Sequence, residues 1–250
     1  MQKFFQVALV AILTSVPSTT SFALSNDFSA CKTVFANSTP PVSQVLDIKT
    51  RALCFSGFAV MHSGKSRTPL YVAERLNKEM LSYANKKRTD DFFADARLPQ
   101  AERAELEDYR GSGYDRGHMA PAADMSTEES MAQCFSLANM VPQAPVNNRK
   151  VWASIEKATR KYIKRSSGDV FVITGPVFDA KSKTIGDNHV WVPKYLYKLV
   201  YDPSANKVWA HWIENSDEAK IDGRISYQEL VKRTGINFLP NLQIIAMPEK

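Results

Sequence analysis

A histidine and an arginine stand two residues apart in the run Asp115–Pro121, DRGHMAP, and their side chains suit one reaction. The imidazole of His118 can take a proton from water near neutral pH. The guanidinium of Arg116 can hold a phosphate through two parallel hydrogen bonds. Together they indicate hydrolysis of a phosphate ester. A histidine after a glycine is also typical of a turn or a core position, so these residues alone leave catalysis and a purely structural loop as alternatives.

The segment 147–165 is the next most informative, because its apolar residues repeat with the period of a helix. Basic residues fill the outer face, whereas Asn148 and Glu156 interrupt the apolar face, where an unpaired polar group costs about 2 kcal/mol or more. Three explanations are open. Asn148 could cap the helix, and Glu156 could pair with Arg160 one turn later. Alternatively, both could face a hydrated divalent cation, Asn148 through its carbonyl oxygen and Glu156 through water.

The start of the chain has the pattern of a secretory signal. Lys3 precedes a largely apolar run, Phe4–Val16, that is too short to span a bilayer as a helix, and small residues lead up to Ala23. We therefore predict a signal peptide over residues 1–23, an N-terminal arm over 24–50 and a single domain over 51–250. The protein is expected to be exported to a periplasm or the medium, with no membrane attachment after cleavage.

Charge and cysteine content narrow the class of protein further. The formal net charge of +6 attracts anions but names no partner. In an oxidising compartment Cys31 and Cys54 could pair, whereas Cys134 lies among apolar residues and is expected to be a buried thiol. The sequence contains no Cys-x-x-Cys and no His/Cys spacing typical of a zinc site.

The pattern of apolar residues predicts an α+β fold with a mixed, mainly antiparallel sheet as its core. Strands are expected over Arg51–His62, Pro69–Leu76, Phe135–Val141, Asp169–Thr174, Trp191–Tyr201 and Lys207–Glu214. The first two should form a hairpin through Ser63–Ser66, and the last two a hairpin through Asp202–Ser204. Asn147–Arg165 should be a helix, and a shorter helix should begin after Ser226 and end at Gly235.

Two separated blocks of the sequence resemble the signature of the DNA/RNA non-specific endonucleases, the ββα-metal-finger enzymes. The first block is Tyr109–Asp124, YRGSGYDRGHMAPAAD. The second is Ser136–Gln143, SLANMVPQ, followed by Asn148, Trp152 and Glu156. The similarity runs from about Phe55 to Pro240 and leaves the N-terminal arm outside it. It implies a ββα-metal finger embedded in the predicted sheet protein.

The resemblance also implies a catalytic role at four matching positions. His118 would be the general base that activates water, and Asn148 would be the only direct protein ligand of one Mg²⁺ (or Mn²⁺). Glu156 would orient a metal-bound water. Arg116 would contact the phosphate and help to stabilise the transition state.

Three further positions would surround that centre. Asn139 and Gln143 match positions near the active site, where they would support it or bind substrate. Arg88 would match an arginine that binds the scissile phosphate, with Arg97 as the competing assignment. Ala138 stands where the family motif often has Ser, a departure that leaves the ligand assignment unchanged.

We therefore predict an exported, Mg²⁺-dependent endonuclease that cuts DNA and RNA. Contacts to phosphate and metal carry no base information, so little sequence specificity is expected. One alternative is a non-catalytic, basic protein that binds nucleic acid or another polyanion on the same scaffold. A second is a narrower phosphodiesterase that acts on small nucleotides.

Overall fold

The computed structural model describes residues 27–43, 49–221 and 223–244, so the predicted signal peptide lies outside the described residues. Numbered in chain order, the strands are β1 (Val42–Ser43), β2 (Thr50–Cys54), β3 (Ala59–Ser63), β4 (Thr68–Leu76), β5 (Asp115–His118), β6 (Met140–Gln143), β7 (Val170–Val177), β8 (Thr184–Ile185), β9 (Val190–Trp191), β10 (Tyr195–Asp202), β11 (Lys207–Glu214) and β12 (Ile236–Asn237). The α-helices are α1 (Lys78–Ser82), α2 (Leu106–Tyr109), α3 (Glu128–Gln133), α4 (Ala153–Ile163) and α5 (Tyr227–Thr234).

The centre of the protein is a six-stranded sheet in the order β11-β10-β7-β4-β3-β2. Every pair of neighbours in it is antiparallel. The two predicted hairpins are present as β3–β4 and β10–β11. The predicted α+β class with a mainly antiparallel core is therefore confirmed.

The two faces of this sheet bury different elements. On one face, Trp152 and Ile155 at the start of α4 pack against Leu196 of β10 and Ile213 of β11. On the other face, α5 packs through Leu230. As predicted, α5 begins at an N-cap, where the Ser226 hydroxyl accepts the Glu229 N–H at 3.1 Å, and it ends at Gly235 in the left-handed conformation, with φ of 68°. Among the described residues, no helix has the length and apolarity needed to cross a membrane.

The segment predicted as an arm contributes to the core wherever it is described. Phe28 and Phe35 are buried on the α5 face of the sheet, because their rings remove more apolar area from water there than a free arm could. A disulfide joins Cys31 to Cys54 at the end of β2, which confirms that these two cysteines can pair. Cys134 is a buried free thiol, as expected, and burial raises its pKa to about 12.

A smaller ββα unit lies beside the large sheet. β5 and β6 pair antiparallel, with His118 opposite Met140. The chain then enters a π-helical turn, Asn147–Trp152, which continues directly into α4. Gly117 is required inside this hairpin, because a Cβ there would overlap the side chain of Gln143. This unit is the ββα motif that the resemblance implied.

Several predicted strand limits were wrong for local reasons. The stretch Arg51–His62 is two strands, β2 and β3, because the chain reverses between Phe55 and Phe58, whose rings stack at 4.4 Å. A 3-10 turn, Leu137–Asn139, precedes β6 where a single strand was expected. β7 continues past Thr174 to Val177 because β10 pairs with it there, while the pairing with β4 ends at Thr174 and requires no N–H from Pro176. β10 begins at Tyr195, so the predicted strand from Trp191 started too early.

Candidate active site

A cleft of about 600 Å³ opens where β5 meets the start of the α4 segment. Asp115, Phe92 and Asn148 line it, together with the arginines Arg88, Arg110, Arg116 and Arg149. Guanidinium groups concentrated in one concave site create a strongly positive potential. The cleft is therefore suited to an anionic ligand with several phosphates.

Asn148 has its side-chain amide held in one orientation. Its Nδ2 donates to Asp115 Oδ2 at 2.9 Å, and Arg149 grips the same carboxylate with Nε at 2.8 Å and Nη2 at 2.6 Å. These contacts hold the pKa of Asp115 below its usual range against the opposing effect of burial. With the amide nitrogen committed, Asn148 Oδ1 has no hydrogen-bond partner among the described residues and is available as an oxygen ligand.

Asn148 is not the cap of the helix, so the first of the three sequence explanations was wrong. The π-helical turn begins at Asn147, its N-cap position is Val146, and no side chain caps it. The second explanation was also wrong, because Arg160 pairs with Asp124 at 2.9 Å. Glu156 has no ion pair with any described residue.

His118 ends β5 and is 9 % exposed, just behind the wall of the cleft. Its ring meets Phe135 edge-on at 5.2 Å and lies 5.8 Å from Phe92, which itself lines the cleft. The Nε2 atom is buried without a hydrogen-bond partner among the described residues. Burial and the nearby Arg88 charge lower the pKa of His118 to about 3, so the imidazole is neutral at physiological pH.

Glu156 lies half-buried on α4 at the edge of a cluster of internal charges. Burial raises its pKa to about 7, Asp124 adds to the rise, and Lys198 and Arg160 oppose it. Burial also raises the pKa of Glu74, whose carboxylate oxygens have no partner among the described residues. A carboxyl group with a pKa near 7 changes charge in the physiological range, as groups at functional sites often do.

The two arginines proposed for phosphate binding have different surroundings. Arg88 lines the cleft, with an exposed side chain that lies 5.1 Å from the Phe135 ring and, in the part of the chain that the structure describes, forms an ion pair with Asp90 alone. Its charge lowers the pKa of both His118 and Glu156, so it acts electrostatically on both groups.

Arg97, in contrast, is fully engaged in the protein. It binds Asp95 through Nε at 2.9 Å and Nη2 at 2.7 Å, donates to the Cys54 carbonyl, and stacks on Phe55 at 4.2 Å. It does not line the cleft, so the structure favours Arg88 for phosphate binding.

Asn139 and Gln143 do not line the cleft, so of their two predicted roles the structure favours support over substrate binding. Both side chains are fully buried. Asn139 bonds the backbone on both sides of the loop after His118: Oδ1 accepts from the Ala120 N–H at 2.9 Å, and Nδ2 donates to the Ala120 and Cys134 carbonyls at 2.9 Å each. Gln143 Nε2 donates to Asn147 Oδ1 at 2.7 Å behind β5. Both therefore support the loop and hairpin that carry His118.

Arg116 is the arginine of the cleft that forms the fewest polar contacts with described residues. Its guanidinium lies 4.1 Å from the Phe92 ring and forms no ion pair with a described residue. The carboxylate of Asp115, the preceding residue, accepts hydrogen bonds from Asn148 and Arg149 instead. Phe92 therefore contacts both Arg116 and His118 and fixes their spacing, and no feature of the sequence indicated this.

The donor set suits a hydrated hard cation better than a protein-enclosed metal. Among the described residues no group of three or more His, Cys, Asp or Glu side chains could hold a metal ion. One amide oxygen, with a carboxylate further along the same helix, is the kind of sparse oxygen set that Mg²⁺ accepts, since it keeps several of its waters. The residues present would therefore suit a hydrated divalent cation with the Asn148 oxygen as its protein ligand.

Comparison with known proteins identifies the family that shares this chain's sequence pattern. Residues 38–244 match the model of the DNA/RNA non-specific endonuclease family. The chain belongs to that family. It is thus a nuclease, a hydrolase that cuts nucleic acid internally. The match begins inside the segment predicted as an arm, so the family resemblance is longer than the sequence blocks indicated.

Individual relatives agree with this assignment. Human mitochondrial endonuclease G is 32% identical over 81% of this chain and 72% of its own length. A protein named nuclease from Nostoc sp. is 34% identical over 74% of this chain and 72% of its own length. A solved structure of EndoG in complex with EndoGI superimposes with a TM-score of 0.70 at 26% identity, covering 77% of this chain and 86% of that one. This endonuclease chain therefore shares both the fold and the sequence signature of its relatives.

Proposed function

We propose that the protein is an exported, Mg²⁺-dependent endonuclease that hydrolyses DNA and RNA with little sequence preference. The observation that supports this most directly is the fixed amide of Asn148, a cleft-lining residue whose Oδ1 has no hydrogen-bond partner among the described residues. A neutral histidine lies directly behind that cleft. A binding protein would need the arginines but would gain nothing from an oriented amide oxygen or an unprotonated imidazole.

In this mechanism the arginines fix the substrate. Arg116 and Arg88 would grip the non-bridging oxygens of the scissile phosphate and stabilise the charge that develops there during attack. Phe92 holds the Arg116 guanidinium against its ring, which reduces the freedom that Arg116 would lose on binding. None of these contacts reaches a base edge, so they carry little sequence information.

His118 would act on the attacking water. Its imidazole is neutral across the physiological range and can accept the proton on a ring nitrogen. Asn139 fixes the backbone on both sides of the following loop, so the imidazole is held in place before substrate arrives. A phosphate bound to Arg88 would offset the positive charge that now depresses the pKa of His118, and so raise its basicity.

Asn148 would hold the Mg²⁺ ion, and Glu156 would orient a water molecule bound to it. When bound, Mg²⁺ would supply positive charge that stabilises the leaving group and a water acidic enough to protonate it. Asp115 holds the Asn148 amide in one orientation through its Nδ2, and Arg149 lowers the pKa of Asp115 and so favours its ionised form. The protein itself thus contributes one neutral oxygen and one carboxylate to this position.

A plasmid and a structured RNA, each incubated with the purified protein, test the proposal. We expect both to be degraded with Mg²⁺, neither with EDTA, and both again once Mg²⁺ is restored in excess. Persistent cleavage in EDTA would contradict the role of the metal. Salt-sensitive retention of intact nucleic acid on a gel, without products in Mg²⁺, would favour a non-catalytic polyanion binder. Cleavage of dinucleotide esters alone would favour the narrower phosphodiesterase.

Export is a separate part of the proposal. The Cys31–Cys54 disulfide supports it, because such bonds persist in oxidising compartments. Some relatives are named as mitochondrial, but residues 1–23 contain no arginine, whereas mitochondrial presegments are rich in it. Cell fractionation followed by N-terminal sequencing should find the protein outside the cytoplasm, beginning at Leu24. A cytoplasmic protein that keeps Met1 would overturn this part.

A further inference from the structure

A row of positive side chains leads away from the cleft along the outer face of the helix. Lys150, in the π-helical turn, is followed by Lys157, Lys161, Lys164 and Arg165, and all five are exposed. We call these five residues the α4 ridge. None of them forms an ion pair with a described residue.

The absence of acids from this face distinguishes the ridge from an ordinary solvated helix. Exposed helix faces commonly alternate the signs of their charges at i and i+4. In the segment 147–165 the single acid is Glu156, which points to the other side, toward Asp124 and Lys198. The repulsion between the ridge cations is therefore not relieved within the described protein, and a bound polyanion would relieve it.

The ridge also begins where the substrate must pass. Asn148 and Arg149 line the cleft, and Lys150 follows them directly in the same helical turn. A regular helix from Lys150 to Arg165 would rise about 22 Å, at roughly 1.5 Å per residue, and α4 forms the central part of this stretch. That length equals about six steps of a duplex at roughly 3.4 Å per step along one strand.

We propose that the α4 ridge is a docking track for the phosphate backbone of the polynucleotide that flanks the cut site. It would hold the strand about six nucleotides beyond the cleft, without base contacts. The inference rests on the proposed function, because it takes the cleft as the point of cleavage. It adds a substrate length requirement, since long polynucleotides reach the ridge and very short ones do not.

An anionic membrane is the other surface that a basic helix could meet. A helix that binds a membrane needs an apolar face to insert beside its basic one. The apolar face of α4 is occupied, because Trp152, Ile155 and Ile163 are buried against the sheet. The ridge can therefore offer a partner only its positive charge, which is sufficient to bind a soluble polyanion but not to insert into a membrane.

The test compares two variants that lose the same charge. The ridge variant carries Lys157→Gln and Lys161→Gln. The control variant carries Lys32→Gln and Lys232→Gln, which are exposed on elements that pack against the opposite face of the sheet. Binding to a labelled duplex of about 24 base pairs is measured in EDTA against salt concentration, so that no cleavage occurs. Cleavage of plasmid and of a tetranucleotide is measured with Mg²⁺.

We expect the ridge variant to bind the duplex with a salt slope lower by about 2 than wild type, at about 0.9 per lost phosphate contact. The ratio of wild-type to ridge-variant affinity for the duplex should fall about tenfold between roughly 50 and 200 mM salt. The ridge variant's KM for plasmid should rise while its cleavage of the tetranucleotide stays at the wild-type rate. The control variant should match wild type in every assay.

Other results would count against the ridge specifically. Equal salt slopes for the ridge and control variants, with wild-type cleavage intact, would overturn the docking track and leave the proposed function standing. Binding of wild type to vesicles containing phosphatidylserine, lost in the ridge variant while duplex binding persists, would assign the ridge to membranes instead. A wild-type protein that cleaves neither substrate would overturn the proposed function itself.

Discussion

Two layers of polar side chains around β5 and α4 differ in how many of their hydrogen-bonding groups have partners within the protein. The cleft layer comprises Arg116 and Asn148, which line the cleft, and His118 behind its wall. Each keeps an atom or charge that has no partner among the described residues. In the supporting layer, Asn139 and Arg97 commit their hydrogen-bonding groups to neighbours in the protein. The same residue types occur in both layers, and both asparagines belong to the signature blocks. Among these five residues, the ones that keep an unpaired group are those expected to act on substrate or metal. A buried atom without a partner is not sufficient by itself, since the carboxylate oxygens of Glu74 also lack one among the described residues.

The supporting layer also explains how residues of the cleft layer can keep hydrogen-bonding groups without partners. A buried imidazole without a partner is costly, and it persists only where the surrounding structure fixes it. Asn139 accepts a hydrogen bond from the Ala120 N–H in the loop after His118, and Asp115 accepts one from the amide of Asn148. Substitutions in the first layer should therefore remove activity, and substitutions in the second should first remove stability.

Removing the imidazole should have the largest effect on activity. We expect His118→Ala to lower the cleavage rate about 10²- to 10⁴-fold, the usual worth of a general base, while duplex binding in EDTA persists. His211→Ala is a matched control, because that histidine is also buried and burial lowers its pKa to about 4, yet it lies on β11 away from the cleft. Single-turnover rates measure the effect, and near-ultraviolet circular dichroism checks the fold. A rate for His118→Ala within tenfold of the control would contradict the mechanism.

Removing the free amide oxygen should come next. Asn148→Ala should raise the Mg²⁺ concentration needed for half-maximal cleavage by more than roughly a hundredfold, since even outer-shell metal contacts are worth about 10- to 100-fold. Its melting temperature should change little, because the amide makes one hydrogen bond, to Asp115. Rates titrated against Mg²⁺ measure this. An unchanged Mg²⁺ requirement would remove Asn148 from the metal site.

The buried asparagine should show the opposite profile. Asn139→Ala leaves two backbone carbonyls and one N–H without partners, so we expect unfolding free energy to fall by about 3 kcal/mol or more. Urea unfolding measures the loss. Mg²⁺ dependence of the remaining activity, assayed well below the melting temperature, should stay at the wild-type value. A stable Asn139→Ala protein with an altered Mg²⁺ requirement would place Asn139 in the cleft layer.

Much of this contrast could be predicted from the sequence. The antiparallel α+β core followed from strand patterns, and His118, Arg116, Asn148 and Glu156 followed from the resemblance of two sequence blocks. Residue type and spacing cannot show which polar atoms are already paired inside the fold. Asn139 was therefore given two possible roles, support or substrate binding, and only its complete burial favours support.

Other parts of the site depended on contacts that no local pattern encodes. Phe92 lies 26 positions before His118 in the chain, within a stretch that is charged and irregular, and still lies against its ring. The pairing of Arg160 with Asp124 joins α4 to the loop after β5, whereas the helical pattern favoured Glu156 as the partner. Such contacts form only when β6 brings the two blocks together, so a single sequence gives them no signal.

The pH dependence should sharpen the assignment of Glu156. With a pKa near 7, this carboxyl is protonated at lower pH and cannot orient a metal-bound water, whereas above pH 7 it is ionised. The half-saturating Mg²⁺ concentration should therefore rise as pH falls below about 7, by up to roughly tenfold per unit for one displaced proton. His118, with a pKa of about 3, stays neutral from pH 5 to 8 and adds nothing in that window.

Glu156→Gln should have a higher Mg²⁺ requirement that no longer changes between about pH 5 and 8, because the amide does not titrate there. Cleavage rates over a grid of pH and Mg²⁺ concentrations measure both proteins. A wild-type requirement that stays constant over the same range would show that Glu156 does not participate in holding the metal-bound water.

The smallest effects should come from exchanging each candidate phosphate arginine for lysine. Arg88→Lys keeps the charge in the cleft but loses the planar fork, so KM should rise several-fold with stability unchanged. Arg97→Lys keeps the charge too, yet it breaks the paired bonds to Asp95 and the stacking on Phe55, so stability should fall with KM unchanged. The two variants thus serve as controls for each other. If KM rose for Arg97→Lys alone, Arg97 would belong to the cleft layer and Arg88 to the supporting layer. The phosphate site would then lie nearer β2, because Arg97 donates to the carbonyl of Cys54 there.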